Sequence, residues 1–202
     1  YVNVCVFLLS YSRFRTYLLP ISKSKSVLLS FLMESFEAIG GIPKTLLVDN
    51  MKTIMDESRT QYQAGKVNER FYQFSKDCGF EVKPCIAGRP QTKAKVEAPM
   101  KLLDEIHAYQ GKFNYEELHA FIQDLCNRVN SQYHQGTGKI PILHLKKERN
   151  LLSPLPNRKI RDFYKIDHIP VKVNTSNMVS FKSNMYSVPP GYIGKTVGLQ
   201  VY

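Results

Sequence analysis

From Val2 to Ser10 the chain is almost continuously apolar, with β-branched and aromatic members, the pattern of a strand buried on both faces. Tyr11-Ser12-Arg13 predicts a turn, and Phe14 to Ile21 a second strand closed by Pro20 and a Ser/Lys cluster. So short a connection makes the two strands antiparallel neighbours. Val2–Ser10 is too apolar for a free sheet edge, so a further strand is expected before Tyr1. The rhythm then changes to helical: Val27, Leu28, Phe31, Leu32, Phe36 and Ile39 share one face, with Ser24 or Ser26 as cap and Gly40-Gly41 as stop. Lys44 to Asn50 predicts a short strand that ends abruptly on Asp49-Asn50.

Met51 to Lys66 is polar and irregular, which predicts a mobile or inserted loop. A helix over about 68–78 follows, with Phe71, Phe74 and Cys78 on one side and Gly79 as its stop, then a strand over 80–87 that Pro84 places at an edge or bulge. After Arg89–Glu97 a helix runs to about Tyr109, and Pro99 holds its start close to Glu97. Asn114 and Glu117 form a capping box for an amphipathic helix reaching about Tyr133. Asn130–Pro141 is a polar turn, and Ile142 to about Leu152 a short basic helix. The composition shifts at Ser153-Pro154-Leu155-Pro156-Asn157, a stiff linker. Beyond it, short alternating runs separated by Asn174-Thr175, Lys182-Ser183-Asn184 and Pro189-Pro190-Gly191 suit a small β-barrel that is cut at Tyr202.

This order of elements makes an α/β core with a mixed sheet and flanking helices. Composition adds one strong constraint, a formal charge of +11 on 202 residues, for which nucleic acid is the commonest partner. The apolar runs are too short to span a bilayer, and the first ten residues lack the charged leader of a signal peptide. Cys5, Cys78, Cys85 and Cys126 are scattered, as are the five histidines, so neither a zinc site nor a disulfide framework is indicated and an intracellular setting is expected. His119 is expected on a helix surface.

Two carboxylates occupy special places: Asp49 at the end of a strand and Glu97 at the start of a helix. Each alone has an ordinary explanation, Asp49 as a turn former and Glu97 as a helix-starting residue on a solvated loop. In a basic chain the pair also suits phosphoryl transfer on nucleic acid, where carboxylates hold two magnesium ions. Arg89, Lys93 and Lys95 beside Glu97, and Lys52 after Asp49, are candidate phosphate contacts or solvated cations.

Leu-Leu-Val-Asp-Asn at 46–50, the Cys78-Gly79-Phe80 helix exit and Pro-Gln-Thr-Lys-Ala-Lys-Val-Glu at 90–97 resemble the catalytic core of DDE transposases and retroviral-type integrases. The resemblance is closest to the IstA-type transposases of bacterial insertion sequences, and His134, Thr137-Gly138 and Pro141 match that family's segment after the core. It implies an RNase H-like fold: a catalytic core over 1–152 lacking its first strand, a linker over 153–165, and a small, C-terminally truncated β-barrel over 166–202. Asp49 and Glu97 would be the second and third acidic residues of a triad that binds two Mg2+ ions, with Mn2+ as the alternative. The first aspartate is absent, since no acidic residue precedes Glu34, and a fragment with two of three ligands is expected to bind the metal pair poorly.

The implied activity is Mg-dependent 3′-end cleavage and strand transfer of element ends into target DNA, by a cytoplasmic, nucleoid-associated bacterial protein. The implied partners are DNA, further copies of the chain on DNA and an AAA+ ATPase helper of the IstB type, with no membrane. Two alternatives keep some of these features: an RNase H-like nuclease that cuts without joining, and a non-catalytic nucleic-acid-binding module.

Overall fold

A computed structural model of the chain describes residues 3–20, 22–86, 112–165 and 168–200. Strands β1 (Cys5–Leu8) and β2 (Arg15–Leu18) pair antiparallel as expected, Cys5 opposite Leu18 and Leu8 opposite Arg15. Successive side chains of a strand point to opposite faces, and both faces are used here. Cys5 and Phe7 join the cluster built around helix α1 (Lys25–Ile39), whereas Val4 and Val6 pack toward Leu118, Ile122 and Leu125. Those three belong to a helix over Tyr115–Ser131, here α3. The continuous apolar run is therefore explained by a helix on each side.

Helix α1 starts where Ser24 accepts the Val27 amide and ends at Gly40, whose φ of +82° suits glycine. Gly41 cannot carry a side chain, because a Cβ would lie 2.7 Å from Leu152 and 2.8 Å from the Ser153 carbonyl. Strand β3 (Thr45–Val48) pairs parallel with β6 (Glu81–Pro84), the two joined through α2 (Glu69–Cys78). Pro84 ends β6, where a missing N–H is tolerated. Among the described residues β1–β2 and β3–β6 are separately hydrogen-bonded pairs, not one continuous mixed sheet.

The interior is unusually aromatic. Phe36 of α1 lies 6.2 Å from Phe74 in a stacked pair and meets Phe7 and Phe80 edge-on at 5.8 and 5.7 Å. Phe71 and Tyr164 complete the group around Phe74, Tyr164 at only 4.7 Å.

The segment expected to be a mobile or inserted loop, 51–66, carries regular structure that its polarity does not suggest. It holds a short antiparallel pair, β4 (Met55–Glu57) with β5 (Lys66–Val67), and buries Ile54 and Met55. Two apolar residues suffice to anchor it because Asn68, the α2 cap, also donates to the Thr53 carbonyl.

Helix α3 carries the predicted capping box and stops at Ser131, two residues before the expected end. His119 is half-buried on it and stacks on Tyr115. The basic helix is α4 (Pro141–Glu148), followed by a 3-10 turn at Arg149–Leu151. The proline-rich segment beyond is strapped to the core, since Ser153 exchanges two backbone hydrogen bonds with Ile42. Helix α5 (Arg158–Tyr164), inside the predicted linker, docks on α1 and α2. Arg161 and Lys165 pair with Glu37, and the Tyr164 hydroxyl donates to Asp77 at 2.5 Å. Burial first, and Asp77 second, raises the Tyr164 pKa.

Strand β7 (His168–Lys172) pairs with β10 (Thr196–Gln200), and β8 (Met178–Phe181) with β9 (Asn184–Ser187). Lys182 and Ser183 both have positive φ, as the tight turn between β8 and β9 requires. These are two two-stranded sheets, so the described residues do not close the expected barrel. All four cysteines are free; burial raises the thiols of Cys5 and Cys126, and burial with Asp77 pushes Cys78 up to about 12.

Candidate active site

Asp49 leaves the carboxyl end of β3, where a parallel sheet presents side chains to ligands. It is exposed, and one carboxylate oxygen accepts the Asn50 amide at 2.7 Å. Asn50 ties down the surrounding backbone. Its side chain accepts from the Arg59 amide at 2.8 Å and donates to the Cys85 carbonyl at 2.9 Å and the Arg59 carbonyl at 3.4 Å. Arg59 in turn donates to the Pro84 carbonyl at 3.0 Å. The ends of β3 and β6 and the β4–β5 segment are thereby held together directly beneath Asp49.

Asn50 and Arg59 are the residues that sequence reasoning missed. Asn50 stood in the Leu-Leu-Val-Asp-Asn motif without a role, and Arg59 lay in a polar stretch with no periodicity, its partners Asn50 and Pro84 being 9 and 25 residues away. Asn50→Ala is expected to cost about 1–3 kcal/mol, because it leaves the Arg59 amide and the Cys85 carbonyl without this partner. Chemical denaturation checks this, and an unchanged midpoint would contradict it.

Lys52 is exposed three residues beyond Asp49. Glu97, Arg89, Lys93 and Lys95 lie outside the described residues, so Asp49 is the candidate carboxylate whose geometry is on view. Among the described residues no group of three or more His, Cys, Asp or Glu side chains could hold a metal ion. An exposed carboxylate is nonetheless the hard oxygen ligand that Mg2+ accepts, usually one or two per ion. Among the described residues no helix is long and apolar enough to cross a membrane.

The architecture is a mixed α/β fold whose solved neighbours are integrase cores. The catalytic core domain of BIV integrase matches 74% of this chain and 89% of its own, with a TM-score of 0.55 and 16% identity. A chain in the simian T-cell lymphotropic virus intasome in complex with PP2A regulatory subunit B56 gamma matches 77% of this chain and 51% of its own, with a TM-score of 0.57 and 14% identity. Identities this low speak for the fold alone.

Sequence relatives are nearer. The chain is a homologue of the transposases of bacterial insertion sequences, and the IstA-type resemblance read from its motifs holds. It is 65% identical over its whole length to the transposase for insertion sequence element IS232 of Bacillus thuringiensis subsp. berliner, covering 47% of that protein. It is 31% identical over 97% of its length to the putative transposase for IS5376 of Geobacillus stearothermophilus, covering 48% of it. To the transposase for IS21 of Pseudomonas aeruginosa it is 27% identical over 99% of its length, covering 51% of it. Residues 161–202 match the Mu transposase C-terminal domain. The chain thus spans about half the length of the curated relatives it matches.

Proposed function

We propose that the chain is the catalytic-core portion of a DDE-type DNA transposase, with an RNase H-like core over 1–152 joined through 153–165 to a small β-barrel domain over 166–202. The observation that carries this reading is the exposed Asp49 carboxylate at the end of parallel strand β3, in a chain homologous to insertion-sequence transposases. Asp49 and Glu97 would hold the metal ions, together with a third carboxylate. The Asn50 amide orients one Asp49 oxygen, and the Asn50–Arg59 ties keep the strand end from shifting under the load of a highly charged ligand.

Two bound Mg2+ ions would supply activation of the attacking oxygen and stabilisation of the leaving one. Water first frees the 3′ end of the element. In the joining step the 3′-hydroxyl oxygen bonds to a target phosphorus while the target's own 3′ oxygen leaves and takes up the proton, so the number of phosphodiester bonds is conserved. Arg89, Lys93, Lys95 and Lys52 position phosphates near the carboxylates. The whole protein acts as a homo-oligomer on DNA with an IstB-type AAA+ helper, in the bacterial cytoplasm.

The test supplies the full-length protein with a pre-cut element end, target DNA and Mg2+. Joined product is expected, and its loss on chelation of the metal. Cleavage of an uncut end without any joining would favour the nuclease instead.

A further inference from the structure

We propose that the end of the α/β core opposite Asp49 carries a second nucleic-acid contact, a phosphate-backbone site built from Arg13, Lys139 and Lys147 around the exposed ring of Tyr11. The inference rests on the DNA reading above and extends it to a surface that reading does not use. Three parts of the chain meet there: the β1–β2 turn, the loop after α3, and α4. Glu148 of α4 accepts the Ser12 amide at 3.0 Å, and the neighbouring Arg149 donates to the Ile39 carbonyl at the C-terminal end of α1. The turn therefore sits where α1 leads into the start of β3. Asp49 follows the other end of that strand, roughly 13 Å further on at strand rise.

The cations are close enough to act on one another's neighbours. Lys139 lies over the Tyr11 ring at 5.1 Å, and His144 meets the same ring edge-on at 5.8 Å. Arg15 and Arg13, after burial, lower the His134 pKa; Lys139 and Lys147, again after desolvation, lower that of His144. Both histidines are thus shifted away from the charged form, and the positive field comes from the arginines and lysines.

Among the described residues no salt bridge pairs with these cations, and the Arg13 Nε is buried there without an acceptor. The nearby carboxylate, Glu148, is itself buried and bonded to Ser12. Arg13 also adopts φ +62°, a left-handed conformation that an arginine takes at a cost. Cations contributed singly by three segments suit an anion that repeats along a surface, as a duplex backbone does, better than one chelated phosphate. The half-exposed Tyr11 offers a flat apolar face beside them.

Fluorescence anisotropy with a labelled duplex of arbitrary sequence, across about 50–200 mM salt, tests this. The variant Arg13→Gly/Lys139→Gln/Lys147→Gln is compared with Lys66→Gln/Lys76→Gln/Lys159→Gln, which removes the same charge elsewhere. Glycine is at ease at φ +62°, so the turn is preserved. The patch variant is expected to lower the slope of log affinity against log salt by about two to three, at roughly 0.9 for each phosphate no longer neutralised, and to weaken binding at least about tenfold at low salt. The control is expected to change both by much less. Equal changes in the two variants, or none in the patch variant, would overturn the site while leaving the transposase reading standing. Loss of binding to a polyglutamate peptide or phosphatidylserine vesicles, with duplex affinity unchanged, would overturn it in favour of another partner. Failure of the unaltered chain to bind duplex at all would remove the site and the DNA reading together.

Discussion

Asp49→Asn in the full-length protein is expected to abolish strand transfer while leaving duplex affinity within about twofold. The substitution is isosteric and keeps an oxygen that can accept the Asn50 amide, so the strand end and the Asn50–Arg59 ties stay in place. What it removes is the charge that would hold a hard cation. Losing several kcal/mol of charge stabilisation corresponds to at least about a thousandfold in rate. Joining of a pre-cut end, measured beside anisotropy on the same duplex, separates chemistry from binding. Undiminished joining would sink the assignment of Asp49, whatever the outcome for the basic patch at the other end of the core.

Phe36→Ala is expected to have the largest effect on stability. Phe36 is fully buried and contacts Phe7, Phe74 and Phe80, which come from β1, α2 and the approach to β6. Truncating it opens a cavity where α1 meets both strand pairs, at a cost of about 3–5 kcal/mol. That is a large share of the roughly 5–15 kcal/mol by which a domain is stable. Phe163→Ala is the informative companion, because its ring is 76% exposed although it neighbours the buried Tyr164. Its expected change is within about 0.5 kcal/mol. Urea denaturation of both variants decides the matter: a loss below about 1 kcal/mol for Phe36→Ala, or equal losses for the two, would contradict this view of the core.

Much of this was legible in local pattern. The caps at Ser24 (or Ser26) and Asn114 and the stops Gly40 and Gly79 act within one helical turn, so residue type and spacing reveal them directly, and the structure settles the first on Ser24. The Val2–Ser10 run was also legible, since a strand covered on two faces needs apolar side chains at odd and even positions alike. Asp49 could be singled out from its place after an apolar strand, and the motifs around it led to the right relatives. The β4–β5 pair was not legible, because two buried side chains in a polar stretch leave no periodicity. Nor was the docking of α5, which depends on Tyr164 meeting Asp77 across 87 residues of chain.

The sequence by itself determined helices α1 to α4, the apolar strands and the kinship with insertion-sequence transposases, because each rests on the order and spacing of neighbouring residues, whereas α5 lies inside what was expected to be a linker. Tertiary structure alone decided that β3 lies beside β6, that Asn50 and Arg59 brace the end carrying Asp49, and that Glu148 holds the turn at Ser12. These depend on which distant segments share an interior. Hydrogen bonds across 25 to 136 residues follow from how the aromatic core closes, and leave no mark on the local rhythm of the chain.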